Sequence, residues 1–158
     1  MKALTAEQIR LKIEHYCAYQ ERSHQEVKKK LFLLGLNASQ ADELISSLIL
    51  DGYLNEERFA KAFAGGKFRI KKWGRLKIIN ELEKKNISKN CIRSGLKEID
   101  AEDYRQTLIA ILSQKIAHLS ENNIYVLRDK ASNYAIQKGF EPELVWEILR
   151  DLLPDKKN

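Results

Sequence analysis

Hydrophobic residues recur along this chain with the spacing of one helix face, in a pattern that occurs three times. The pattern is marked by Gly35, Asn86 and Gly139, which lie 51 and 53 residues apart and each precede a hydrophobic residue. Hydrophobic residues also stand four and eight positions before each marker and six, ten and thirteen positions after it. These offsets predict one helix before every marker and another helix after it. The residues at these offsets are Val27, Leu31, Leu36, Ala41, Ile45 and Leu48, then Ile78, Leu82, Ile87, Ile92, Leu96 and Ile99, then Ala131, Ala135, Phe140, Val145, Leu149 and Leu152.

A longer helix is predicted ahead of each of these pairs. The three run from Thr5 to Tyr19, from Glu56 to about Lys72 and from Glu102 to about Leu119. Glycine or asparagine at a marker suits a helix C-terminus, because both tolerate the left-handed conformation found there. Residues suited to N-caps precede five of the helical runs, at Thr5, Ser23, Ser39, Asn55 and Asp100.

The predicted fold is all-α, with three tandem three-helix repeats that form an elongated, curved body. The repeats are placed at residues 1–53, 54–100 and 101–158. The alternative is one compact bundle in which the repetition is accidental, and the offsets shared by all three groups argue against it. Runs with the two-residue alternation of a β-strand are absent from the sequence.

Composition is typical of a folded protein in the cytoplasm. Hydrophobic residues make up 44% and charged residues 32% of the 158 residues. The sequence contains no uncharged apolar run long enough to span a membrane, and its N-terminal residues lack the apolar stretch of a secretory signal. The two cysteines, Cys17 and Cys91, lie in amphipathic patterns and are predicted to be reduced.

Positive charge is concentrated between Arg58 and Lys89. This segment has eleven basic residues and two acidic ones, a local net charge of +9 in a chain whose overall charge is +6. No carboxylate occurs between Glu57 and Glu81, so the segment lacks the alternating charges of an ordinary solvated helix. We therefore predict a surface for an acidic partner, either nucleic acid or protein. Its candidate residues are Arg58, Lys61, Lys67, Arg69, Lys71, Lys72, Trp73, Arg75, Lys77 and Lys85.

Two features of this segment have alternative interpretations. Trp73 is favoured as a core residue at a helix turn, and the alternative is exposure for stacking on bases or docking into a partner. The pair Gly65-Gly66 either gives close packing or a kink, or serves as a hinge for docking. Phe59, Phe63 and Leu82 are predicted to belong to the core of the central repeat.

Catalysis is not expected from this sequence. The three histidines, His15, His24 and His118, lie on or near polar helix faces and are not spaced as metal ligands. The run from Ala64 to Lys67 resembles a phosphate loop superficially, but it lacks the preceding strand and the full glycine pattern. We predict no enzyme activity, no cofactor and no metal.

The central segment contains three recognisable sequence motifs: Gly52–Ala60 (GYLNEERFA), Trp73–Ile78 (WGRLKI), and Leu82 with Lys85–Ile87. With these motifs the segment resembles the RecX family of regulatory proteins. The family patterns read approximately GYLDDxRFA and GxxRIxxxLxxKGI, and the size and the three repeats also match. Asn55 stands in place of the usual Asp and Asn86 in place of the usual Gly, and both substitutes suit helix caps.

The resemblance implies a modulator of RecA, usually an inhibitor, that binds along the groove of the RecA–DNA filament. It also implies a role in DNA repair and the SOS response, and from the repeats and the composition we predict a monomer without membrane association. Two hypotheses stay open. The chain is either a regulator that requires RecA and has little affinity for DNA alone, or a nucleic-acid-binding module whose basic segment supplies most of the affinity.

Overall fold

The computed structural model describes residues 3–155, and in that range the regular secondary structure is all helical. It contains nine α-helices and one π-helix, and no strand among the described residues. In chain order the helices are α1 (Ala6–Tyr19), α2 (His24–Leu33), α3 (Ala38–Leu50), α4 (Glu56–Gly66), the π-helix (Lys67–Lys71), α5 (Arg75–Lys84), α6 (Lys89–Leu96), α7 (Ala101–His118), α8 (Ile124–Gln137) and α9 (Pro142–Leu152). Within residues 3–155, none of these helices combines the length and apolar character that crossing a bilayer requires.

Four of the five N-cap residues predicted from the sequence do cap a helix. The Thr5 side chain accepts a hydrogen bond from the Gln8 backbone, and Ser23, Asn55 and Asp100 accept equivalent bonds. The prediction of Ser39 as a cap is wrong. Helix α3 begins at Ala38, and Asn37 caps it because Gln40, three residues on, completes a reciprocal capping box.

The three markers share one backbone conformation. Gly35, Asn86 and Gly139 have φ values of 105°, 61° and 100°, in the left-handed region. In each case the N–H of the next residue donates to a carbonyl five residues back, at 3.1, 3.2 and 3.2 Å. The same helix C-terminal motif therefore recurs three times, as the sequence predicts. The acceptors are the carbonyls of Leu31, Leu82 and Ala135.

The described chain divides into two compact units. The first comprises the chain up to Ala62 together with Leu82–Gly95, and the second comprises Phe63–Glu81 and the chain from Leu96 onward. The helices of the predicted central repeat contribute to both units. Division into domains at residues 53 and 100 therefore stays a prediction, as does the elongated, curved shape.

Each unit buries residues that the helical pattern assigns to its core. In the first unit Ile13, Val27 and Leu48 are fully buried around α1, α2 and α3. In the second, Leu108 and Phe140 are fully buried. Periodicity alone was therefore sufficient to identify most of the core positions.

The central repeat needs one correction. Phe59, Phe68 and Leu82 are buried, whereas Phe63 is only partly buried. Phe63 lies four residues after Phe59, and its ring packs against Trp73, whose own side chain is also partly exposed. Phe63 therefore lies at the boundary between the core and the surface, next to Trp73.

Candidate partner-binding surface

A π-helix displays the most basic part of the sequence. Helix α4 ends at Gly66 and continues as the π-helix to Lys71, and the next residue, Lys72, has a left-handed conformation with φ of 58°. The N–H of Trp73 donates to the carbonyl of Lys67 at 3.2 Å and closes this wide turn. π-Helical turns are uncommon and occur frequently at functional sites. The Gly65-Gly66 pair therefore marks a change of helix type rather than the end of the helical path.

Trp73 lies between the core and the solvent. Its ring meets Phe63 edge to face at 6.3 Å between centroids. The ammonium groups of Lys67 and Lys77 lie 5.0 and 4.6 Å from the centre of its ring. Trp73 is thus neither the buried core residue that the sequence favours nor a fully exposed ring. It holds two lysines beside each other at the surface.

Backbone contacts within the second unit fix the position of this segment. The N–H of Gly74 donates to the carbonyl of Lys138 at 2.7 Å, and the N–H of Leu76 donates to the carbonyl of Gly139 at 2.9 Å. Lys138 also donates from its Nζ to the carbonyl of Lys71 at 3.3 Å. The start of α5 is therefore bonded to the turn between α8 and α9.

Arg75 is part of a partly buried polar network. Its guanidinium pairs with Glu141 at 2.9 Å and lies 3.8 Å from the centre of the Tyr104 ring. The Tyr104 hydroxyl accepts from the Arg75 N–H at 3.0 Å and donates to Glu141. Burial, together with the hydrogen bond to Glu141, raises the pKa of Tyr104. Arg75 thus has a structural role in the second unit, although part of its side chain remains accessible.

Three other candidates pair with carboxylates in the first unit. Arg58 pairs with Glu21 at 2.6 Å and also donates to the Gly52 carbonyl. The other two candidates are lysines: Lys61 lies 3.3 Å from Glu57, and Lys85 lies 3.6 Å from Glu26. Their charges are therefore partly neutralised within the protein. Surface pairs of this kind contribute little to stability, so the side chains keep some freedom to bind elsewhere.

The remaining five cations form no ion pair with any carboxylate in residues 3–155. We call them the central basic cluster: Lys67, Arg69, Lys71, Lys72 and Lys77. All five lie between Phe63 and Glu81, in the part of the chain that belongs to the second unit. Arg69, Lys71 and Lys72 are exposed. An uncompensated set of cations beside an aromatic ring is well suited to bind an anionic surface.

Sequence reasoning missed the residues that support this surface from a distance. Tyr104, Lys138 and Glu141 contact it through the fold, and they lie up to 67 residues from their partners in the chain. The short motif around Trp73 contains no signal for these contacts. In the described range no group of three or more His, Cys, Asp or Glu residues is arranged to hold a metal ion.

Comparison with known proteins identifies the central helices. A family model described as the second three-helix domain of RecX matches residues 55–96, from the cap of α4 to the end of α6. Residues 55–96 are therefore similar to this RecX domain. Curated relatives named Regulatory protein RecX extend the similarity to most of the chain. One from Bacillus cytotoxicus is 24% identical over 141 residues and covers 89% of this chain and 52% of its own length.

A second relative, Regulatory protein RecX from Lactobacillus johnsonii, is 29% identical over 132 residues, with 82% of this chain and 48% of its own length covered. The chain therefore spans about half the length of these curated relatives. The crystal structure of RecX from Lactobacillus salivarius superimposes with a TM-score of 0.83 at 20% identity, over 92% of this chain and 95% of that one. Another, titled regulatory protein RecX, gives 0.79 at 17% identity, over 92% of this chain and 73% of that one. The resemblance to RecX and the RecX fold are confirmed.

Proposed function

We propose that this chain binds the RecA–DNA filament and modulates RecA, mainly by inhibiting strand exchange and ATP hydrolysis. It acts by binding rather than by catalysis, as a cytoplasmic monomer in the regulation of DNA repair. The observation that carries the proposal is the similarity of residues 55–96 to a RecX domain, since the basic segment lies within these residues.

The central basic cluster supports this proposal physically. Its five cations have no carboxylate partner among the described residues, and Trp73 holds two of them beside each other. Such charges meet an anionic partner without first breaking an internal ion pair. The polynucleotide of a filament and acidic protein surfaces both provide the opposite charge.

A second candidate function is a nucleic-acid-binding module that does not need RecA. The same unpaired cations favour it, because phosphate contacts by Lys and Arg release counterions and supply affinity without a protein partner. The two functions differ in salt dependence. Apolar contacts with RecA would persist at high salt, whereas binding through phosphates alone would be almost lost.

The test is RecA ATP hydrolysis on single-stranded DNA, measured with and without this chain at several salt concentrations. We expect hydrolysis to fall as the chain is added, with part of the inhibition remaining at high salt. Unchanged hydrolysis at every salt concentration would contradict the proposed function. Inhibition that disappears at high salt, together with equal binding to DNA that lacks RecA, would favour the module.

A further inference from the structure

A groove lined by basic and aromatic residues lies between the first two helices of the first unit. It has a volume of about 470 Å³. Helix α1 supplies Lys12, His15, Tyr16 and Tyr19, and the other side is formed by Arg22, Lys30 and Leu34. The Tyr16 ring lies 3.7 Å from the Arg22 guanidinium carbon and 5.6 Å from the Lys30 ammonium.

A similar groove lies between α7 and α8 in the second unit. It has a volume of about 320 Å³. Helix α7 supplies Ile111, Gln114, Lys115 and His118, and the other residues are Tyr134, Lys138 and Lys72. Here the Tyr134 ring lies 4.6 Å from the Lys115 ammonium and 5.8 Å from that of Lys138. One tyrosine again holds two cations.

The two grooves use equivalent positions of their repeats. On α1 and on α7 the lining residues have the same spacing, and the last of them, Tyr19 or His118, is the final residue of its helix. The next helix contributes the residue five positions before the marker glycine, and its C-cap is the residue one position before the marker, in both cases. Equivalent positions therefore enclose each groove.

The lysine and the tyrosine of this contact occupy opposite helices in the two grooves. Tyr16 on α1 corresponds to Lys115 on α7, and Lys30 on α2 corresponds to Tyr134 on α8. The cation–ring contact thus recurs with its partners reversed. Repetition of the contact with different residues at each position indicates that the groove needs a cation beside an aromatic ring.

No acidic residue lines either groove in the described part of the chain. Each groove has three Lys or Arg side chains, and the nearby Glu21 is paired with Arg58. We propose that both grooves are phosphate-binding sites for single-stranded nucleic acid. The cations bind the phosphates, and the tyrosine positions the cations and provides a ring edge or face for an adjacent base.

Nucleic acid fits these grooves better than an acidic protein segment. A polynucleotide presents the same phosphate group repeatedly, which matches a groove that recurs at equivalent positions. It also provides bases that can stack on tyrosine, as in proteins that bind single strands. Apart from Lys72, the residues that line the two grooves lie outside the central basic segment, and the proposed sites do not depend on RecA.

The test is anisotropy of a fluorescein-labelled 20-nucleotide oligodeoxythymidylate titrated with the full chain, without RecA, at several low salt concentrations. The groove variants are Lys12→Gln with Lys30→Gln, and Lys115→Gln with Lys138→Gln. The matched control is Lys29→Gln with Lys130→Gln, which removes two charges from exposed positions outside the grooves. Circular dichroism checks that every variant keeps its helices.

We expect each groove variant to reduce the slope of log affinity against log salt by about 1.4, because a contact to a single-strand phosphate contributes about 0.7. The control should change the slope by less than half of that. Groove variants that behave like the control would overturn the proposal. The proposal would also be overturned if the groove variants lost binding to a glutamate-rich peptide of equal charge but bound the oligonucleotide as the parent does. That result would assign the grooves to an acidic protein. The RecA assay described above can fail independently of this outcome.

Discussion

Gly74 approaches Gly139 so closely that no side chain fits at position 74. A Cβ atom on Gly74 would lie 2.2 Å from the carbonyl carbon of Gly139, and one on Gly139 would lie 3.0 Å from the carbonyl oxygen of Gly74. The contact allows the two backbone hydrogen bonds that join the start of α5 to the turn before α9. The glycine in the Trp73-Gly74-Arg75 motif thus has a packing function.

Substitution Gly74→Ala should destabilise the protein by about 1–3 kcal/mol, because the new methyl group collides with backbone atoms that cannot rotate away. Gly66→Ala is the matched control. Gly66 has helical angles and nothing within 4 Å of its Cβ position, so alanine should be neutral or stabilise by up to about 1 kcal/mol. Urea unfolding followed by circular dichroism measures both. Equal stability of the two variants would show that the close approach is not a constraint.

Substitution Tyr104→Phe should destabilise the protein by about 1–3 kcal/mol at pH 7. The change removes the hydroxyl that bridges the Arg75 N–H and Glu141, and it leaves both groups without that partner in a partly buried network. Thermal or urea unfolding of both proteins at one pH gives the difference. A variant as stable as the parent would contradict a structural role for this network.

The same pair of proteins should respond differently to high pH. Because the pKa of Tyr104 is raised in the folded state, the folded chain retains a proton that the unfolded chain loses above about pH 10. The stabilisation that protonated Tyr104 gives the folded chain is fully present below that pH, and it decreases as the pH rises through and above it. The difference in stability between parent and Tyr104→Phe should therefore shrink between about pH 9 and 11. A constant difference would contradict the raised pKa.

Truncation of the two phenylalanines of α4 should have unequal effects. Phe59 is buried, so Phe59→Ala should cost about 3–5 kcal/mol. Phe63 is partly exposed and packs on Trp73, so Phe63→Ala should cost roughly 1–2 kcal/mol and increase the mobility of Trp73. Denaturant unfolding gives the loss of unfolding free energy for each variant, and tryptophan fluorescence reports on the mobility of the Trp73 ring. A greater loss for Phe63→Ala than for Phe59→Ala would reverse our assignment.

The helices and their markers could be predicted because they depend on neighbouring residues. Gly35, Asn86 and Gly139 each end a helix, and local periodicity identifies the helix on either side. The partners of Arg75 could not be predicted, since Glu141 reaches it only through the tertiary fold. The π-helix was also missed, because the pair Gly65-Gly66 is compatible with a kink, a helix end or a continued helix. Of the candidate site, the sequence identified the basic residues but could not separate the paired ones from the unpaired ones.

The central claim of this account is that the central basic cluster carries the interaction with the RecA–DNA filament. The direct measurement is the concentration of the chain that half-inhibits RecA ATP hydrolysis on single-stranded DNA. The test variant combines Lys67→Gln, Arg69→Gln, Lys71→Gln and Lys77→Gln, and it leaves the Arg75 network intact. The control combines Lys29→Gln, Lys89→Gln, Lys97→Gln and Lys130→Gln, four exposed positions outside the cluster.

Both variants lose four positive charges, and both should keep the parent's helices and melting midpoint, since substitutions at exposed or partly exposed surface positions usually change stability by no more than about 0.5 kcal/mol each. We expect the cluster variant to need about tenfold more protein for half-inhibition, because several contacts to anionic groups are lost together. The control should stay within about twofold of the parent, since its lysines are not expected to contact the filament. A cluster variant that is correctly folded and inhibits RecA as well as the parent does would contradict the account.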